Sequence, residues 1–206
     1  MASNADLIPA LILAAGVSSR MGKPKLALPW GGTTVLGHVL DLYRRAGADP
    51  LYVVTGGDEE MVRKAAGKRA VWFLHNPSYD TGEMLGSIQV GLQGLVAGMW
   101  NGCLLAPADL PALQSSTISA LLATYRDEGS LLVPSYRRRR GHPVLIGRDH
   151  WPEILALEPG QNLRTFFDNH TGEIVYVNVD DAGIRVDMDT PEDYRHLKEE
   201  GTSCKP

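Results

Sequence analysis

Apolar runs of strand length alternate with amphipathic stretches of helix length along nearly all of the 206-residue chain, and this alternation limits the fold more than any other feature. Leu7–Ala15, Leu51–Thr55, Ala70–Leu74, Cys103–Ala106, Leu131–Pro134, Pro143–Ile146 and Ile174–Val179 read as strands. Between them, Val35, Leu36, Val39, Leu40 and Tyr43 recur at helical spacing, with Ala46-Gly47 as the stop. Helices are also expected over Glu59–Ala66, from about Gly82 through Val96, from a Ser115 or Ser116 cap through Tyr125 with Gly129 as stop, and over Asn162–Asn169. A last helix opens at Thr190-Pro191, with Thr at the cap and Pro at the first helical position. Such alternation implies an α/β fold with a mostly parallel sheet covered by helices on both faces. No repeat, low-complexity block or linker breaks the pattern, so a single domain over 1–206 is expected, with a core of about 7–197 and short termini.

Composition narrows the function. At this length roughly 70% of the unfolded chain's surface is buried on folding, so no disulfide or zinc staple is needed. The 20 basic residues against 24 acidic ones give a net charge of −4, which argues against nucleic acid as a partner. Cys103 and Cys204 form no C-x-x-C pair, which suits a reducing cytoplasm. Leu7–Ala15 is too short to span a membrane, and MASNAD before it has no basic region of the kind that opens a secretory signal.

In doubly wound sheets the chemistry lies beyond the carboxyl ends of strands, so the loops there carry the argument. The first reads Leu13-Ala14-Ala15-Gly16-Val17-Ser18-Ser19-Arg20-Met21-Gly22-Lys23-Pro24-Lys25. It is neither G-x-G-x-x-G nor a P-loop. Its glycines still let backbone N–H groups approach an anion, and Arg20, Lys23 and Lys25 supply positive charge. Residue types alone leave open a polyphosphate site or a plain surface loop. Asp109, between Pro107 and Pro111 after a buried strand, suits a Mg²⁺ ligand or a turn cap. Asp187 and Asp189 point the same way in an extended segment and attract a cation, or else favour the positive end of the helix that follows. His142, in Arg140-Gly141-His142-Pro143, can bond a phosphate or a heterocycle, or be structural. The preceding run Arg137–Arg140 is either a solvated loop or a receiver for an anion. Tyr79–Ser87 opens a helix with donors suited to an anion or a base edge.

Other chemistries lack their residues. There is no G-x-S-x-G elbow and no H-E-x-x-H. The six histidines, at 38, 75, 142, 150, 170 and 196, show no close ligand spacing, so neither a serine triad nor a structural zinc is expected.

Taken in order, LAAGVSSRMGKPK, VVTGGD, HNPSYDTGEMLGSI, PADLP, RGHPVLIG and DMDTPEDY resemble the motifs of the MobA-like nucleotidyltransferase family, most closely its molybdenum cofactor cytidylyltransferase branch. The resemblance runs from about Leu7 to Leu197. It implies a Rossmann-like domain that uses CTP and Mg²⁺. It also implies transfer of CMP to the terminal phosphate of molybdopterin, with release of pyrophosphate. By match, Ala14, Ala15, Gly16, Arg20 and Lys25 fall on the triphosphate loop, and Gly82 and Ser87 on the segment that meets base and ribose. Asp109 falls on the metal-binding aspartate, Asp187 and Asp189 on the C-terminal acidic motif, and Gly141, His142 and Pro143 on the acceptor side. Arg20, Lys25 and Asp109 are the implied catalytic set. Relatives that use GTP tend to carry glycine where this chain has Ala15, so its methyl group points to the smaller pyrimidine. Ala108 and Leu110 replace the glycine and methionine common beside the metal aspartate, and Gly160–Arg164 departs most from the family pattern.

Two rival functions share these residues. One is nucleotidyl transfer to a sugar or alcohol phosphate. The other is a molybdenum cofactor carrier without catalysis. For the cytidylyltransferase that the resemblance implies, the expected partners are the small molecules CTP and molybdopterin cofactor, with transient contact to a molybdoenzyme or an insertion chaperone.

Overall fold

The computed structural model describes residues 7–16, 21, 23–81, 84–128 and 130–203. In chain order the strands are β1 (Ala10–Ala14), β2 (Pro29–Trp30), β3 (Thr33–Thr34), β4 (Leu51–Thr55), β5 (Val71–His75), β6 (Gly102–Pro107), β7 (Leu131–Tyr136), β8 (Arg139–Arg140), β9 (Val144–Gly147) and β10 (Val175–Asn178). The helices are α1 (Val35–Arg45), α2 (Glu59–Ala66), α3 (Met84–Val96), α4 (Ser115–Glu128), α5 (Trp151–Leu155), α6 (Leu163–Asn169) and α7 (Pro191–Ser203). No helix among the described residues is long and apolar enough to cross a membrane.

The main sheet runs β10-β7-β9-β6-β1-β4-β5. Strand β1 pairs in parallel with β4 on one side and β6 on the other. The β4–β5 and β7–β10 pairs are also parallel. Strand β9 is antiparallel to both neighbours, and β8 is antiparallel to β7. The expected α/β class is therefore correct, with one reversed strand inside the sheet.

Side-chain alternation along β1 divides the core. Ala10, Ile12 and Ala14 pack toward α1, α2, α4 and α7 through residues such as Leu36, Val62, Ile118 and Leu197. Leu11 and Leu13 pack toward α3, α5 and α6 through Ile88, Leu92, Ile154 and Phe166. Both faces of the central strands are dry, which is why they read as continuous apolar runs.

Local signals set several boundaries. Thr34 Oγ1 accepts from Gly37 N at 2.9 Å and caps α1. Asn162 Oδ1 accepts from Thr165 N at 3.1 Å and caps α6. At α7, Thr190 Oγ1 accepts from Asp193 N while Asp193 Oδ2 accepts from Thr190 N, a reciprocal capping box.

Three expectations need correction. Ser115 and Ser116 lie within the first turn of α4 rather than ahead of it, and Gly129 is outside the described residues. The segment expected to be loop up to Gly32 contains the one-turn helix Lys25–Ala27 and the small β2–β3 hairpin. The arginine run is not simply loop. Arg139 and Arg140 pair with Tyr136 and Ser135, and Arg137 and Arg138 form the two-residue turn with φ of 48° and 63°. Positive φ at both turn residues matches the right-handed twist of the flanking strands.

Helix α3 approaches β1 closely because Gly91 has no side chain. A Cβ there would run into the Leu11 side chain, which is fully buried. Gly91→Ala should therefore destabilise the fold by about 1–2 kcal/mol, the overpacking cost exceeding the gain in helix propensity. Urea unfolding checks this, and a variant as stable as the parent would contradict the packing argument.

Candidate active site

The chain proceeds from β1 outward to β4 and β5, then returns to the other side of β1 at β6. The carboxyl ends of β1 and β6 thus diverge at a topological switch point, where open sheets bind ligands. Strand β9 runs the other way, so the residues that precede it, Gly141–Pro143, arrive at this same end.

Two cavities meet there. The smaller, of about 340 Å³, is lined by Ala14, Ala15 and Gly16 after β1, by Lys25 and Leu26, by Tyr79, Asp80 and Ser87, and by Ala108 and Asp109 after β6. The larger, of about 950 Å³, has an apolar wall of Leu85, Ile88, Val133, Val144 and Phe167. Its polar lining includes Arg140, His142, Gln161, Asn162, Arg164, Asp168, Arg185 and Asp187. Leu13, Met84 and Pro107 line both.

A charge cluster sits at the smaller cavity. Lys25 Nζ donates to Asp109 Oδ2 at 2.5 Å and to Asp189 Oδ1 at 2.8 Å. Burial opposes the Lys25 charge, but the two carboxylates outweigh it and hold the ammonium pKa above its ordinary value. Asp187 shifts the other way. Burial, then the charges of Asp109 and Asp189, push its carboxyl above the usual range, with Lys25 and Arg185 opposing. Asp109 Oδ1 is buried and has no hydrogen-bond partner. An orphaned carboxylate oxygen beside a second carboxylate fits a divalent cation, which needs only one or two such ligands beside substrate phosphates.

The acidic segment is tied to this site through the backbone. Met188 N donates to the Asp109 carbonyl at 3.0 Å, and His142 N donates to the Ile184 carbonyl at 2.8 Å. Asp181, buried, accepts from Gln114 N (2.9 Å), Thr117 Oγ1 (2.7 Å) and Gly183 N (2.9 Å), fastening the 181–189 return to the start of α4. A Cβ on Gly183 would strike the Ala112 backbone, and one on Gly141 would strike Ile184, so both close approaches require glycine. His142 hydrogen-bonds the Leu105 carbonyl through its ring, while its Nδ1 is buried without a partner. Burial lowers the His142 pKa more than Asp109 and that carbonyl raise it.

Of the residues singled out from the sequence, the fold gathers Ala14, Ala15, Gly16, Lys25, Ser87 and Asp109 at the smaller cavity. It sets Gly141, His142 and Asp187 at the larger one. Asp189 joins them through Lys25. Pro143 is buried and lines neither cavity. Arg20 and Gly82 lie outside the described residues. Among the four consecutive arginines, Arg140 alone lines a cavity. Sequence reasoning missed the buried Asp181 and the lining residues Asp168 and Arg185, and singled out Arg164 only within a segment that departs from the family pattern. It also missed Gly56 and Gly57, whose missing side chains leave room for the Tyr79 ring. The Gly56-Gly57 pair after β4 was the available signal for that contact.

A doubly wound domain with a backbone-lined pocket opening into a broad second cavity, and a lysine held among carboxylates where they meet, has the form of a nucleotidyltransferase. The chain belongs to the MobA-like NTP transferase family, whose domain profile matches residues 10–174. The molybdenum cofactor cytidylyltransferase of Escherichia coli (strain K12) is 29% identical over 200 residues, 95% of this chain and 97% of that protein. A probable molybdenum cofactor guanylyltransferase of Rhodopirellula baltica is 32% identical over 124 residues, 60% of this chain and 58% of that protein. Among solved structures, Rv0371c of Mycobacterium tuberculosis H37Rv superposes with a TM-score of 0.81 at 29% identity, covering 95% of this chain and 99% of that one. A manganese complex of Rv0371c gives 0.75 at 29%, over 94% and 98%. The chain is a nucleotidyltransferase close to the molybdenum cofactor cytidylyl- and guanylyltransferases.

The His142 environment yields a pH prediction. The folded-state pKa is depressed, so between it and about 6.5 the unfolded chain binds the extra proton and the folded one does not. The His142 contribution to stability is complete above that window and is lost as pH falls through it. An NMR titration of the imidazoles should give His142 a midpoint below that of a free histidine, and His142→Gln should flatten the acid-side loss of stability. A midpoint at or above the free value would contradict the burial argument.

Proposed function

We propose that the protein transfers CMP from CTP to the terminal phosphate of a molybdopterin cofactor, releasing pyrophosphate. The observation that carries this reading is the pair of cavities joined at Leu13, Met84 and Pro107, with Lys25 and Asp109 on the side of the smaller one. The smaller cavity suits a nucleotide, because the backbone of Ala14–Gly16 and the Lys25 ammonium can meet its phosphates. Arg20, on the same loop by sequence, would add a second cation. Ser87 and Gly82 would lie toward base and ribose. Ala15 is nearly buried and lines this cavity, so its methyl group takes space a purine would use. One methyl is worth only about 1–3 kcal/mol of discrimination.

The larger cavity suits the acceptor. Its volume lies near the upper end of small-molecule sites, and its apolar wall with Arg140, Arg164 and Arg185 at the polar side fits a flat heterocycle bearing a phosphate. Gly141 and His142 line it, with Pro143 buried behind them. A phosphate monoester has a second pKa of about 6 and is mostly ionised at neutral pH, so it attacks the α-phosphorus without a dedicated base. His142, held neutral, adds no net charge and need take no proton. The residues' task is positioning and charge neutralisation. Asp109 would hold Mg²⁺ with Asp189 or Asp187, and that ion would supply charge neutralisation at the α-phosphate and the leaving pyrophosphate. Lys25 is released from the carboxylates to the phosphates as nucleotide binds. The reaction needs no second domain and no membrane, and a cytoplasmic setting suits it. The product would pass to a molybdoenzyme or an insertion chaperone.

Pyrophosphate release tests the reading. Protein, Mg²⁺ and molybdopterin cofactor should release pyrophosphate with CTP and not with GTP, ATP or UTP. Release with GTP alone would keep the transfer and overturn the Ala15 argument. Release only with a sugar or alcohol phosphate would change the acceptor, and none with any acceptor would favour a carrier. Lys25→Ala should keep the fold and lower turnover on the order of 10²–10³-fold, the usual loss of one preorganised charge donor. Near-normal turnover in that variant would remove Lys25 from the mechanism.

A further inference from the structure

We infer that the region where the chain leaves β9 and where α6 ends carries a binding site for a divalent transition-metal ion of the zinc class, formed by His150, His170 and Glu173 with Glu153 beside His170. His150 follows β9 and His170 ends α6, far apart in the chain, and the fold brings them together. One ring nitrogen of each histidine and a carboxylate oxygen of Glu173 all lie within 4.8 Å of one another, the one such group of three among the described residues. The His150 and His170 rings meet edge to face at 5.4 Å, and Phe166 stacks on His170 at 4.4 Å.

Ring orientation makes this more than proximity. His170 Nδ1 lies 2.9 Å from the Phe166 carbonyl and therefore carries a proton. Its Nε2 faces the Glu153 carboxylate at 3.1 Å. A neutral ring would aim a lone pair at that anion, so a cation belongs there: a second proton or a metal ion. The second imidazole and the Glu173 carboxylate also approach this histidine, and a metal ion is the cation that would use all three. A backbone carbonyl holding the far ring N–H is how metal-bound histidines are commonly oriented, and Ser130 Oγ, 3.1 Å from His150 Nε2, orients the other ring. Glu153 and Glu173 are exposed, which leaves an entry path. Because α6 lines the larger cavity through Leu163, Arg164, Phe167 and Asp168, an ion held by His170 at its C-terminal end would pin that wall.

The test uses the full chain stripped with chelator and titrated with Co²⁺ in excess Mg²⁺, which occupies carboxylate sites and competes poorly for imidazole. The wild type should take up one Co²⁺ with the visible absorption of a histidine-bound, low-coordinate ion. Zn²⁺ should displace it and raise Tm. His170→Gln should weaken binding at least about tenfold, a floor set by what loss of a mere outer-shell partner costs. Glu173→Gln, an exposed change that leaves folding intact, should weaken it as well. Asp109→Asn should leave it unchanged, so the outcome stands apart from the transfer reaction. No Co²⁺ spectrum in the wild type, or affinity in the His170 and Glu173 variants equal to that of the wild type, would overturn the site.

Discussion

Everything chemical in this protein depends on β1 being flanked by two parallel strands from which the chain departs in opposite directions. A fully hydrogen-bonded strand buried on both faces has only its ends left for chemistry. At the carboxyl end of β1 the backbone leaves the ladder after Ala14, and its Ala15 and Gly16 groups become available to a ligand. Strand β6 does the same after Pro107, and Ala108 N donates back to the Leu13 carbonyl at 3.0 Å. That bond fixes Asp109 beside the first loop. The reversed β9 then delivers His142 to the same end. A strand parallel to β6 in that place would have delivered its Gly147 end instead.

The charge cluster follows from the same geometry. Three carboxylates and one lysine are held together by bonds made elsewhere, chiefly the main-chain bond from Met188 N to the Asp109 carbonyl and the three bonds accepted by the Asp181 carboxylate. Asp181 spends its charge on fixed backbone and hydroxyl donors and leaves none over for a ligand. Asp109 is the reverse case, with one oxygen on Lys25 and one unsatisfied. Lys25 therefore stands where a cation is needed in the absence of substrate. It offsets part of the repulsion from Asp109 and Asp189 that, after burial, disfavours the charged form of Asp187.

How much of this was legible in the sequence differs by feature. Helix and strand positions were readable because both faces of the central strands are dry and several helix ends carry their own caps, as at Thr34, Asn162 and Thr190. Lys25 and Asp109 were readable because each follows a strand and has the residue type its chemistry requires. Asp181 was not, since its partners lie more than sixty residues away in Gln114 and Thr117, and no local pattern marks an aspartate that serves a distant helix start. The reversed strand was not readable either, because a buried strand has the same apolar run in both directions. The His150–His170 pairing is of this kind too: their spacing carries no signal, and only the return of α6 past the end of β9 brings them together.

The two cavities are built differently, and this bears on how such a protein comes to choose its substrates. The smaller one takes one wall from the backbone and small side chains of Ala14–Gly16 and another from Pro107–Asp109, so that part of its shape follows from the ends of β1 and β6 and tolerates little change beyond a methyl group such as that of Ala15. The larger one draws side chains from α3, β7, the start of β9, the Gly160–Asp168 stretch and the Ile184–Asp187 return. Those segments meet only in the folded state, and of the polar residues among them Asn162 caps α6, Arg140 pairs with β7 and His142 is tied to Ile184 through its backbone, while Gln161, Arg164 and Asp168 hold no core element in place. Exchanging Gln161, Arg164 or Asp168 would alter what the cavity admits at little cost to the fold, because these positions contribute side chains and not scaffold. Within the segment that departs most from the family pattern, Gly160–Arg164, Asn162 is held by its cap and Gly160 by its φ of 88°, but Gln161 and Arg164 are exposed and open to change. Acceptor choice can therefore drift within such a family while the phosphate end, bound to the geometry of β1 and β6, stays as it is.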